Sequence, residues 1–258
     1  MKKFLKSMLV AMLIIPIAFT LVACGDKGLD TKADVDIDGN YKTATIEDVN
    51  TYATSTAKDS ESFNSGFRMT MKMTMPTATE GVTATTEINA LAVLENKTIK
   101  GAAYKMSLVK GEDKIITEAY LKDSVSYMKA SHGSDVVTYQ EKIDTSGDFG
   151  YIEAAMESID FKTGLEEISA SAKVSVEKAT SGKYTKWHVV VEETLITYDT
   201  YYVFKSDSLV GVVVKQTIGK MAVEMNIEAY TGSIKYPSDL NNYSTEKPKA
   251  EWLESMFS

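Results

Sequence analysis

Between Phe67 and Met75 the chain alternates without exception. Phe67, Met69, Met71, Met73 and Met75 hold the odd positions, and Arg68, Thr70, Lys72 and Thr74 the even ones. A period of two sustained over nine residues predicts a β-strand with one buried and one wetted face. Val223, Met225, Ile227 and Ala229 alternate with Glu224, Asn226 and Glu228 in the same manner. Tyr104, Met106 and Leu108 alternate with Lys105, Ser107 and Val109. Further strands are expected at about 82–95, 113–122, 124–130, 135–142, 173–180, 183–195, 197–205 and 208–218. Turn-forming residues stand between them at Lys110–Asp113, Lys122–Ser124, Ser131–Ser134, Ser181–Gly182 and Lys205–Ser208. Connections this short join antiparallel neighbours, because a parallel pair needs a long crossover.

Helical spacing enters twice. Thr45 and Asp48 have the spacing of a capping box, and Ile46, Val49, Ala53 and Ala57 share one helical face, so a helix is expected over about 45–59. Phe149, Ile152, Met156 and Ile159, then Leu165, Ile168 and Ala172, fit two short helices or one broken at Gly164. The order helix, six strands, helical segment, five strands is α+β, a long antiparallel sheet with helices gathered on one face. Tyr120–Val125 and Phe204–Leu209 echo each other as hairpins after an aromatic strand end. The tail beyond Pro237 is polar until Trp252, Leu253, Met256 and Phe257, which either dock on the body or fray.

The amino terminus reads as an export leader. Lys2, Lys3 and Lys6 precede an almost wholly apolar run from Ser7 to Ala23, and the only cysteine follows at Cys24. The competing reading, an uncleaved membrane anchor, wants about 20 continuous apolar residues, and Pro16 interrupts this shorter run. Leu21-Val22-Ala23-Cys24 resembles the lipobox of bacterial lipoproteins, which implies a diacylglycerol thioether on Cys24 and cleavage before it. Residues 1–23 are thus expected to be a signal peptide, 24–42 a lipidated acidic tether, 43–245 the folded domain and 246–258 a tail. Three of the 28 basic residues and none of the 36 acidic ones lie in the leader, so the mature chain carries −11 against −8 for the precursor. Such a surface disfavours nucleic acid and anionic headgroups as partners. With Cys24 modified no thiol remains for a disulfide, and the core alone must hold the domain.

Catalytic and metal-binding patterns are thin. Asp34, Asp36, Asp38 and Gly39 occupy positions one, three, five and six of an EF-hand loop, yet Thr45 stands where the twelfth, bidentate Glu is required. The segment reads instead as a solvated acidic tether, and no metal or other cofactor is expected. His132 and His188 lie on separate predicted elements without a cysteine to complement them. The chain has no G-x-S-x-G sequence, and its S-x-x-K matches at Ser55–Lys58 and Ser107–Lys110 lack the S-D-N triplet that would accompany them. A non-enzymatic protein is expected.

The methionines admit two readings. Val and Ile are the ordinary strand residues, whereas Met is flexible and suits irregular apolar surfaces. A sheet face carrying Met69, Met71, Met73 and Met75, with Met106, Met128 and Met225 on other strands, is a wall for hydrophobic ligands or a core face filled by adaptable side chains. Methionine content by itself favours the core.

The helix followed by Phe63-Asn-Ser-Gly-Phe67-Arg-Met-Thr-Met71, then Tyr120-Leu-Lys-Asp-Ser-Val-Ser-Tyr-Met128, and the close Ala229-Tyr-Thr-Gly-Ser-Ile-Lys-Tyr-Pro237, resemble LolA-like carriers and the related LppX/LprG-type lipoproteins. The resemblance spans roughly residues 43–245 and looks closest to a Gram-positive branch. It implies a curved antiparallel half-barrel of about 10–11 strands, helices packed on its apolar concave face, and acyl chains held in the cavity. The implied ligand-binding face comprises Phe67, Met69, Met71, Met73, Met75 and Met106, and Met128 and Met225 join the expected ligand-binding residues from their own predicted strands. A retained anchor implies local handling of a lipid at the extracytoplasmic face of the cell membrane rather than shuttling. The alternative is an interaction module with a solid core, whose acidic outer face meets an envelope protein.

Overall fold

The computed structural model describes residues 31–57, 61–77, 82–95, 98–142 and 172–246, with 159, 161, 165 and 248. The expected leader with Cys24, the helical positions Phe149, Ile152, Met156 and Ile168, and the apolar tail residues 252–257 lie outside them.

Twelve strands among the described residues form one curved antiparallel sheet. They are β1 (Lys42–Ala44), β2 (Gly66–Pro76), β3 (Thr83–Glu95), β4 (Thr98–Lys110), β5 (Asp113–Lys122), β6 (Val125–His132), β7 (Asp135–Lys142), β8 (Lys173–Ser181), β9 (Tyr184–Glu192), β10 (Ile196–Lys205), β11 (Ser208–Ile218) and β12 (Met221–Ala229). Their order is β1-β8-β9-β10-β11-β12-β2-β3-β4-β5-β6-β7. Two meanders, β2 to β7 and β8 to β12, therefore join where β12 pairs with β2. The sheet stays open, with β1 and β7 at its edges. The fold is α+β as expected, with β1 added to the anticipated strands.

The two alternating segments seen in the sequence meet at this seam. Met225 stands opposite Met71, Ile227 opposite Met69 and Val223 opposite Met73, while on the other face Glu224 meets Lys72 and Glu228 meets Arg68. Apolar and charged pairs thus agree on one register, and a slip of one residue would bury the charges. The two echoing hairpins have the same cause. Asp123 and Ser124, and likewise Ser206 and Asp207, are consecutive left-handed residues, the geometry a two-residue turn needs to match strand twist. Irregularities at Val93/Leu94 and Val203/Phe204 add local twist.

The helix α1 (Ile46–Ser55) begins at the predicted capping box. Thr45 Oγ1 accepts from the Asp48 amide at 3.1 Å, and an Asp48 carboxylate oxygen accepts from the Thr45 amide at 2.8 Å. Its buried residues Val49, Tyr52 and Ala53 join the main core. Tyr52 lies 5.5 Å from the Trp187 ring and 5.1 Å from Phe204. Phe161 lies 4.6 Å from Tyr202 and 5.0 Å from Phe204, so part of the expected second helical segment also reaches this core.

The opposite face of the sheet carries two straps. Residues 31–41, read from the sequence as tether, lie along it. The Ala33 amide donates to Thr70 Oγ1 at 2.9 Å, Val35 abuts Gly211, and Tyr41 packs edge-on to His188 and Tyr201. Lys186, only 5 % exposed, donates to the Asp38 carbonyl at 2.6 Å and pairs with Asp36 at 2.9 Å. The acidic stretch thus compensates a buried ammonium that would be costly alone. After β12 the chain returns over β4 to β7. There Leu240 and Tyr243 pack with Ala103 and Tyr120 in a second, smaller core, and Tyr236 Oη donates to the Leu121 carbonyl at 3.0 Å. The Gln140 amide of β7 donates to the Ser244 carbonyl at 2.7 Å, which covers an otherwise open edge.

Candidate functional site

Register places every proposed wall residue on one side of the sheet. One row runs Val214, Met225, Met71, Ile88, Met106, Thr117. A second runs Trp187, Tyr202, Val212, Ile227, Met69, Ala90, Tyr104, Ala119, Met128. Met73 lies between Val223 and Thr86, Phe67 between Ala229 and Ala92, and Met75 beside Ala84 at the strand end. Phe67 and Met69, Met71, Met73, Met106, Met128 and Met225 are 0–6 % exposed, and Met75 is half-buried against them.

Small side chains separate the large ones. Ala90, Ala92, Ala102 and Ala119 occupy this face of β3, β4 and β5, and none is more than 1 % exposed. An alanine reaches little beyond the pleat, so its complete burial means that other atoms stand over it. Val49, Tyr52, Phe63, Ile159, Phe161 and Leu165 belong to the same cluster. The face is a long methionine wall beside a patch of alanines covered by other side chains.

Polar side chains interrupt the wall at Thr86, Thr117 and Gln216. Gln216, 2 % exposed, lies between Tyr198 and Val223, with its amide beside the Tyr198 hydroxyl. The Tyr198 hydroxyl is pushed up to about 12, by burial first, with the Gln216 amide pulling the other way. The Trp187 indole N–H, at 1 % exposure, has no acceptor among the described residues.

Trp187 ends the second row at a cavity of about 700 Å³ between α1 and the β1–β8 edge. Its walls include Lys42, Asp48, Thr51, Tyr52, Lys178 and Trp187. Lys178 Nζ sits 4.8 Å over the Trp187 ring and 5.8 Å from Tyr52. Sequence reasoning passed over these residues because each is ordinary alone. Only the β1–β8 and β8–β9 pairings bring Lys42, Lys178 and Trp187 together.

The outer face has a titratable cluster of its own. His188 Nδ1 lies 2.9 Å from Glu177 and Nε2 2.8 Å from Asp199, with Tyr201 stacked at 4.1 Å and Tyr41 edge-on at 5.9 Å. The Asp199 hydrogen bond, and after it the Glu177 carboxylate, raise the His188 pKa above 6.5 against the opposing effect of burial. A raised folded pKa contributes stability in full below the unfolded value and loses it as pH climbs through the folded one. Urea unfolding should therefore show stability falling as pH rises above about 6.5, and His188→Asn should flatten that slope. An unchanged slope would place the titration elsewhere. No group of three or more His, Cys, Asp and Glu suited to a metal ion occurs among the described residues. Neither protein-family models nor the curated proteins searched give a match to this chain.

Proposed function

We propose that this chain is a lipoprotein, anchored through Cys24, that holds a lipid or similar hydrophobic molecule against the methionine wall without chemical change. In this reading the sheet is a LolA-like half-barrel, the wall lies on its concave side, and helices cover it. The supporting observation is the alternation of adaptable methionines with fully buried alanines across one face. Flexible methionines fill irregular gaps in a core, and the same adaptability lets a wall accept guests of variable shape. Each CH₂ a guest buries there contributes about 0.8 kcal/mol.

The test uses the unlipidated domain beginning after Cys24 and a fluorescent fatty-acyl probe. Saturable uptake with blue-shifted emission is the expected result, with competition by unlabelled fatty acid. Absence of uptake, together with recovery of one stoichiometric envelope protein on pull-down, would leave the interaction-module reading in its place.

A further inference from the structure

We propose that the cavity between α1 and the β1–β8 edge is an oxyanion site, taking a phosphate- or carboxylate-bearing group. The observation behind it is a mismatch in the sheet. Lys42 and Lys178 are direct cross-strand partners in the β1–β8 ladder, so their side chains leave the same face. Both line the cavity. Like charges set opposite one another in an antiparallel pair destabilise it, and a three-residue strand such as β1 has little else to offset that. An anion between the two ammonium groups turns the repulsion into two charge-assisted contacts.

The other walls agree. Asp48 is the one carboxylate among the lining residues, and both the Thr45 amide and hydroxyl already hold it, at 2.8 and 2.7 Å. Although the Lys178 charge is felt at Asp48, it is the weakest of the influences there, behind the two Thr45 hydrogen bonds. Thr51 and Thr180 also line the space. The Tyr52 and Trp187 rings hold the Lys178 ammonium in place by cation–π contact. Trp187 also belongs to the row that leads through Tyr202 and Ile227 to Met69. A single amphiphile would then lay its chain along the wall and its anionic head in the cavity. That linkage rests on the function proposed above, whereas the oxyanion site rests on the cavity alone.

The experiment takes the full chain in a neutral maltoside detergent and follows its thermal unfolding midpoint. Inorganic phosphate and dodecyl phosphate are titrated, with chloride at matched ionic strength as reference. The proposal expects phosphate to raise the midpoint beyond chloride. Lys178→Gln and Lys42→Gln should each weaken the response about tenfold or more, with Lys178→Arg retaining most of it. Without phosphate, Lys42→Gln should unfold no earlier than the parent chain. Its exposed position keeps the test usable if the Lys178 variant folds poorly. Dodecyl phosphate binding well above inorganic phosphate supports a lipid headgroup, and equal binding supports a free oxyanion. Phosphate acting no better than chloride, or acting equally on the glutamine variants, overturns the site. Failure of fatty-acyl uptake with the phosphate response intact counts against the carrier reading alone.

Discussion

Gly66→Ala is expected to cost on the order of 3–5 kcal/mol, enough to remove much of the stability of a domain this size. Gly66 opens β2 with φ +145°, and a Cβ there would lie 2.2 Å from the Ala92 carbonyl oxygen, a backbone atom that cannot swing aside. The site is clamped from both directions. The Tyr230 amide donates to the Gly66 carbonyl, and the Leu94 amide donates to Ser65 beside the β3 irregularity. Relief requires β2 and β3 to part at the centre of the sheet. Gly111→Ala is the control: its φ is +64° but nothing lies within 4 Å of the new Cβ, so about 1 kcal/mol is expected. Denaturant midpoints of the two variants measure the contrast, and equal midpoints would remove the clash as the cause.

Met71→Asp should abolish fatty-acyl uptake and destabilise the fold by about 3–5 kcal/mol. Met71 sits in the middle of its row, between Met225 and Ile88 and 6 % exposed, and the sheet offers an aspartate no cation there. Met71→Ala then separates the two accounts of the wall. In a solid core the truncation costs about 2–5 kcal/mol through the void it leaves. Against a ligand space the lost contacts are fewer, stability changes by less than about 1 kcal/mol, and the probe shifts in affinity instead. Chemical denaturation and probe titration on the same variant read both quantities.

The strand ladder was legible because alternation is a local signal. Phe67–Met75 and Val223–Ala229 declare their faces residue by residue, and the turns at Lys122–Val125 and Lys205–Ser208 carry Asp and Ser that accept left-handed backbone. That the two alternating segments pair with each other was not legible, since nothing local ties residue 71 to residue 225. Strand β1 was missed because three residues carry no period. The straps were missed for a related reason. Residues 31–41 and 230–244 are polar segments with scattered Ala33, Val35, Leu240 and Tyr243, and their burial depends on a sheet face assembled elsewhere. The methionine wall could be named in advance, but the Lys42–Lys178 juxtaposition exists only once the strands are in register. The Asp34–Asn40 loop, read as a solvated tether because its EF-hand spacing lacks the twelfth ligand, docks on the sheet instead, where Asp36 pairs with the Lys186 ammonium.

The docked N-terminal strap shortens the leash. Were the chain free as far as Thr43, about 19 residues would separate it from Cys24, a reach of up to about 65 Å. With burial beginning at Thr31, about seven residues remain, or roughly 25 Å at full stretch. A body anchored at Cys24 would hover within about its own diameter of the bilayer and could not ferry cargo across a wide gap. Its working range would be the layer of lipid directly beneath it.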